Sequence, residues 1–151
     1  MWRLLANLIR RLDIVRYRRA IERALALHLR GEVRSDGLKL KHFTTRLEIE
    51  WRARDIHPWD RELVSDRESR VLILEQSLTD TEAAIFRIFA ALPVIDVLDI
   101  AVLDHTSDSV IIAGHVDRSM LGKGRNVLSI LMHLRELGVT HFADREFSRS
   151  A

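Results

Sequence analysis

The sequence predicts a small α+β protein, in which a two-layer antiparallel sheet carries two helices on one face. Two observations support this fold class. Some stretches alternate apolar and charged residues as half-buried strands do, and longer ones repeat apolar residues at helical spacing. Of the 151 residues, 47% are hydrophobic and 30% are charged, which is typical of a globular protein. The absence of cysteine excludes disulfides, thiolate zinc sites and cysteine nucleophiles.

Charge is unevenly distributed along the chain. Overall, 24 Lys and Arg stand against 22 Asp and Glu. Residues 1–31 contain eight arginines and two acidic residues, a balance of +6, so the remaining 16 basic and 20 acidic residues carry −4. Such an asymmetry indicates that the N-terminal segment docks on something acidic, either a phosphate-bearing surface or the protein's own body.

Residues 1–31 are predicted to be a basic amphipathic helical arm, continuous or broken once near Asp13. Arginines interrupt every apolar stretch, so we recognise no signal peptide and expect a cytoplasmic location or a peripheral one at the inner membrane face. One face of the arm suits an anionic membrane, with a tryptophan at the interface. The same face also suits packing on the protein's own sheet or on a second subunit. The candidate membrane- or partner-facing residues are Trp2, Arg3, Leu5, Leu8, Ile9, Arg10, Arg11 and Leu12.

Residues 32–69 are predicted to be an amphipathic strand region followed by a charged connector. A polar turn is expected over Gly31–Gly37. The alternation is clearest over Thr45–Ala53, where one face is apolar and the other is charged. It begins near Leu38, so the region is either one long strand or a hairpin. Its apolar face, which carries Trp51, is a candidate surface for self-association if nothing in the chain covers it.

Residues 70–146 are predicted to form the α+β module, and residues 147–151 a frayed tail. Val71–Leu74 is an apolar run that we interpret as a strand, although its length also fits a helix turn. Thr79-Asp80-Thr81-Glu82 has the pattern of a capping box and starts a helix that ends at Pro93. The later elements are a strand over Val94–Leu103, a turn over Asp104–Ser109, a strand over Val110–Val116, a helix over Ser119–Leu137 and a strand over Val139–Phe142. This order is αββαβ, or a ferredoxin-like βαββαβ if Val71–Leu74 is a strand.

Two short motifs carry a family resemblance. Val110-Ile111-Ile112-Ala113-Gly114-His115-Val116 is a predicted strand that ends in a small residue, glycine, a variable residue and valine, and Gly138-Val139 opens the last predicted strand. With the helices around them, these motifs resemble the BON domain, a bacterial module named after osmotically inducible and nodulation proteins. The resemblance covers about residues 79–143. It implies a BON-like fold and attachment to phospholipid surfaces or a binding role, while the N-terminal half shows no such resemblance.

Other motifs give weaker signals for chemistry. Gly122-Lys123-Gly124-Arg125 lacks the spacing and the hydroxyl of a phosphate loop. His115 and Asp117 share a sheet face, but a metal site needs further ligands. Paired carboxylates fit ion pairing and turn chemistry better than acid–base catalysis; the pairs are Glu48/Glu50, Asp96/Asp99 and Asp104/Asp108.

We therefore predict a non-enzymatic binding or assembly protein, with no catalytic residue, cofactor or metal site. Its basic N-terminal helix is expected to attach to an anionic phospholipid surface or to mediate homo-oligomer formation or contact with a protein partner. The alternative is an arginine-rich nucleic-acid-binding protein, whose affinity would fall steeply with salt.

Overall fold

One mixed β-sheet organises the computed structural model, which describes residues 31–35, 38–122 and 129–142. In the described residues the strands lie side by side in chain order: β1 (Gly31–Ser35), β2 (Leu38–Phe43), β3 (Arg46–Arg52), β4 (Val97–Leu103), β5 (Val110–Asp117) and β6 (Val139–His141). The helices are α1 (Pro58–Leu63), α2 (Asp66–Ala91) and α3 (Ile130–Glu136), with a 3₁₀ turn at Arg118–Met120.

The predicted α+β class is confirmed, but the sheet is not wholly antiparallel. Neighbouring strands pair antiparallel except β3 and β4, which pair in parallel. Two parallel neighbours need a long crossover between them, and α1 and α2 supply it by returning the chain to the start of β4. The sheet therefore joins the predicted strand region to the predicted C-terminal module.

The first described strands differ from the sequence expectation at one point. Residues 31–35 form β1 and pair with β2, so the expected polar turn over Gly31–Gly37 is wrong for these five residues. Of the two alternatives for the next segment, the hairpin is observed. β2 and β3 join through Thr44, which has a φ of 46°.

Helix α2 is the largest correction. It covers Val71–Leu74, which the sequence analysis assigned to a strand, and its N-cap is Ser65 rather than Thr79. The Ser65 hydroxyl accepts from the Glu68 amide at 3.3 Å, and Glu68 Oε2 accepts from the Ser65 amide at 2.8 Å. No proline or glycine interrupts residues 66–91, so the helix continues through the second capping-like motif. The expected boundary between residues 69 and 70 therefore falls inside α2.

The apolar face of the sheet is covered by α2 and α3. Trp51 is only 7% exposed and belongs to the same core cluster as Ile85 of α2 and Leu134 of α3. The apolar face of β3 is therefore part of the core, so the condition under which that face was a candidate for self-association is not met. The other large side chains of this core that are fully buried are Leu40, Leu47, Ile88, Phe89, Ile95, Leu98, Val102, Ile112, Val116 and Leu137.

The C-terminal elements follow the expected order, with a shorter first strand and last strand and with β5 one residue longer than expected. The predicted helix over Ser119–Leu137 is represented by the 3₁₀ turn and by α3, while residues 123–128 lie outside the described part. Ser129 caps α3 by accepting from the Met132 amide at 3.2 Å. Gly138 follows with a φ of 90°, a conformation that favours glycine. From α2 to β6 the described elements run helix, strand, strand, helix, strand.

Candidate functional site

The predicted partner-facing residues of the N-terminal arm lie outside the described residues. This holds for all eight of them: Trp2, Arg3, Leu5, Leu8, Ile9, Arg10, Arg11 and Leu12. The glycine-lysine motif is described only at Gly122, and the tail from residue 143 is not described. In the body of the protein two surfaces stand out, namely the face of the sheet opposite the described helices, and helix α1.

The face of the sheet that none of the described helices covers, here the open face, carries charged rows that run across the strands. Lys41, Glu48, Asp99 and His115 are register partners in one row over β2 to β5. In the next row, Ala101 sits beside longer side chains and leaves a shallow depression of about 180 Å³. Both signs of charge border it, with Lys39 and Lys41 on one side and Glu48, Glu50 and Asp99 on the other.

Asp99 links three strands within the open face. Its Oδ1 lies 2.7 Å from His115 Nδ1, and its Oδ2 accepts a hydrogen bond from Arg46 Nε. The Arg46 guanidinium also forms an ion pair with Glu48, in which its Nη2 lies 3.2 Å from Glu48 Oε1. These contacts orient the His115 imidazole while leaving its side chain 66% exposed. Cross-strand ion pairing of this kind stabilises a sheet surface.

His115 and Asp117, which the sequence places on one sheet face, have separate partners in the structure. His115 binds Asp99, whereas Asp117 caps the 3₁₀ turn by accepting from the Ser119 amide at 2.7 Å. Within residues 31–35, 38–122 and 129–142, no group of three His, Asp or Glu side chains is arranged to hold a metal ion.

The loop between β4 and β5 is organised by Asp104. Its Oδ2 accepts from the amides of Thr106 and Ser107 at 3.0 and 3.1 Å. Partial burial alone would raise the pKa of Asp104, but the hydrogen bonds from Thr106 and the proximity of His105 outweigh it and hold that pKa below its usual 3.8. Asp108 pairs with Arg52 instead. Both carboxylates of this loop therefore have structural partners, Asp104 within the loop and Asp108 in β3.

Two polar pairs with little solvent exposure join helix α2 to neighbouring elements of the fold. Arg54, just past β3, donates two hydrogen bonds to Asp80 of α2, at 2.7 and 3.1 Å. Burial raises the pKa of Asp80, and the Arg54 guanidinium partly opposes that shift. Glu82 Oε1 lies 2.5 Å from His133 Nδ1, which links α2 to α3. These pairs are parts of the scaffold.

Helix α1 presents apolar side chains to solvent. None of its residues is buried, and Trp59 and Leu63 are 75% and 83% exposed. Because they are four positions apart, they share one face of the helix. We name Trp59 and Leu63, together with Asp60 and Glu62 beside them, the α1 surface. Exposed apolar side chains continue into α2 with Val71 and Leu72.

Sequence reasoning missed the α1 surface. It placed these residues in the strand region and charged connector of residues 32–69 and predicted no helix there. The available signal was Pro58, since proline is favoured at the first position of a helix. In the structure, His57 is the N-cap, and its Nδ1 accepts from the Trp59 amide at 3.3 Å.

No family model, curated protein or solved structure matches this chain. Among the described helices, none is long and apolar enough to cross a bilayer. The function of the chain must therefore be argued from its own residues.

Proposed function

We propose that this chain is a non-enzymatic binding and assembly protein that attaches to anionic phospholipid surfaces through residues 1–31. The observation that carries the proposal is the separation of charge, with +6 on that segment and −4 on the rest. Each arginine close to an anionic membrane contributes about 1 kcal/mol, so Arg3, Arg10 and Arg11 together contribute about 3 kcal/mol. The acidic body gains nothing from such a surface, which favours attachment by the arm.

A BON-like nature of residues 79–143 is part of the same proposal. The order of elements from α2 to β6 supports it. So do two glycines of the resemblance, which have structural reasons: a Cβ on Gly114 would lie 2.9 Å from Val139 Cα, and Gly138 has a positive φ. Because the resemblance implies phospholipid attachment, it agrees with the charge argument.

Self-association through the same arm is the second function that we propose. The observation that favours it is the α1 surface, because an exposed tryptophan and an exposed leucine on one helix face are typical of an interaction site. Homo-oligomer formation would use the apolar side of the arm rather than its charge alone.

Vesicle co-sedimentation of the full chain tests the lipid proposal. We expect binding to vesicles rich in phosphatidylglycerol, none to phosphatidylcholine vesicles, and a loss of binding at high salt because the charges are screened. The triple variant Arg3→Gln/Arg10→Gln/Arg11→Gln should bind about a hundredfold more weakly, as follows from about 3 kcal/mol.

A matched control changes three exposed arginines of the body. The variant Arg67→Gln/Arg70→Gln/Arg135→Gln removes the same charge from α2 and α3 and should bind vesicles as the unmodified chain does. Equal loss in both variants, or equal binding to neutral vesicles, would contradict the proposal. Binding to a DNA or RNA fragment with a steep salt dependence, without vesicle binding, would favour the nucleic-acid alternative.

A further inference from the structure

We infer that the α1 surface of one copy receives the N-terminal arm, residues 2–12, of a second copy. This inference rests on the self-association part of the proposed function and names the surface that the arm would occupy. The contact would pack Trp59 and Leu63 against the apolar stripe of the arm, which consists of Leu5, Leu8, Ile9 and Leu12.

The first argument is the way in which α1 is held. His57 caps it, Pro58 begins it, and Arg61 forms an ion pair with Asp55. The helix is thus fixed in place although it buries none of its own residues, and its two large apolar side chains point into solvent. A rigid tryptophan loses little conformational entropy on binding and is enriched among the residues that dominate interfaces.

The second argument is charge complementarity. Residues 55–75 contain six acidic and three basic residues, a balance of −3. On the α1 surface itself, Asp60 and Glu62 flank the apolar pair and are exposed. This charge disfavours an anionic membrane or a nucleic acid as the occupant. It favours a basic amphipathic segment, and residues 1–31, at +6, have that composition.

The third argument is that an exchange of arms between two copies gives a closed, symmetric dimer. Gly31 pairs with His42, so the arm leaves the sheet at the end where β3 begins, while α1 follows the opposite end of β3. A helix of 30 residues spans about 45 Å, and seven strand residues span about 23 Å, so an arm of this length can reach past the sheet. Two copies that exchange arms about a two-fold axis bury both α1 surfaces and leave neither open.

Sedimentation velocity of the full chain over a range of concentrations tests this inference. We expect a monomer–dimer equilibrium, and at least a tenfold increase in the dissociation constant for Trp59→Ser/Leu63→Ser. The control Val94→Ser/Met132→Ser also removes two exposed apolar side chains, but away from α1, and should leave the equilibrium unchanged. Far-UV circular dichroism checks that each variant is folded.

A charge exchange identifies the occupant. Asp60→Arg/Glu62→Arg should weaken the dimer, and adding Arg10→Glu/Arg11→Glu to the same chain should restore it. A chain that stays monomeric at every concentration would overturn both this inference and the self-association proposal. A dimer whose dissociation constant is unchanged by Trp59→Ser/Leu63→Ser would overturn this inference but not the self-association proposal. If Asp60→Arg/Glu62→Arg weakens the dimer and the added Arg10→Glu/Arg11→Glu does not restore it, the arm is excluded as the occupant of the α1 surface. Vesicle binding is measured separately from all of these outcomes.

Discussion

Several polar side chains of the described residues satisfy backbone groups. Asp104 accepts from two amides of its own loop. Arg118 donates to the carbonyls of Phe89, Leu92 and Ile95, at 3.0, 2.6 and 2.8 Å, and its guanidinium lies 4.8 Å from the Phe89 ring centroid. It thereby satisfies the Phe89 carbonyl, which lies in the last turn of α2 and has no helical partner, and it binds two carbonyls of the segment that follows the helix. At the residue scale, Asp104, which belongs to one of the carboxylate pairs considered for acid–base catalysis, therefore has a structural role.

A pH dependence of stability follows from Asp104. Its pKa is lowered in the folded chain relative to the usual 3.8, so the ionised group stabilises the fold above about pH 4. That contribution is lost as the pH falls through the lowered pKa. We expect the free energy of unfolding of Asp104→Asn to be below that of the unmodified chain at pH 6, with a smaller difference at pH 3. Urea titrations at the two pH values measure it, and a difference that grows at pH 3 would contradict the assignment.

At the scale of elements, α2 determines how the two halves of the chain are connected. It is 26 residues long and begins with the capping box of Ser65 and Glu68. Thr79 and Thr81, in its interior, donate their hydroxyl hydrogens to the carbonyls of Glu75 and Ser77, at 2.9 and 2.7 Å. These are back-bonds to the preceding turn, which do not start a helix.

One serine and one threonine substitution distinguish the observed N-cap of α2, Ser65, from the N-cap expected from the sequence, Thr79. Ser65→Ala should lower the free energy of unfolding by about 1 kcal/mol, because it removes the acceptor for the first-turn amide. Thr79→Ala should change it by less than about 0.5 kcal/mol, since alanine has the higher helix propensity and the lost hydroxyl bond is local. Urea denaturation followed by circular dichroism gives both values. The reverse order of effects would place the start of the helix at Thr79.

At the scale of the whole molecule, one sheet connects the described parts. The parallel pairing of β3 with β4 makes the first hairpin continuous with the C-terminal strands. At the far side of the sheet, Gly114 of β5 is the register partner of Val139 of β6, and a Cβ on Gly114 would lie 2.6 Å from Val139 Cγ2. Strain introduced there is therefore expected to affect the entire fold.

Gly114→Ala tests this continuity. The added methyl must displace Val139, and we expect a loss of about 1–3 kcal/mol in the free energy of unfolding, as for other overpacked sites. The unfolding curves from Trp fluorescence and from circular dichroism should still coincide and shift together. Gly122→Ala is the control, since a Cβ at that position meets no atom within 4 Å. Two separate transitions in Gly114→Ala would show that the halves unfold independently.

The sequence by itself determined the features that depend on local periodicity. Alternation over Thr45–Ala53 marks β3, and Gly138 marks the end of α3, because burial on alternate residues and a positive φ are properties of a short segment. The charge of the arm is likewise read directly from the sequence. No contact in space is needed to recognise any of these.

Only the tertiary structure decided where α2 begins and how the strands are ordered. Ser65-x-x-Glu68 and Thr79-x-x-Glu82 carry the same local signature, so the choice between them depends on the packing of the whole helix. Arg46 and His115 meet Asp99 across 53 and 16 positions of the chain, respectively. The α1 surface exists because no residue of the described part of the chain covers Trp59, which is 75% exposed. Contacts between distant residues, and their absence, are set by the packing of the complete chain, which no local pattern reports.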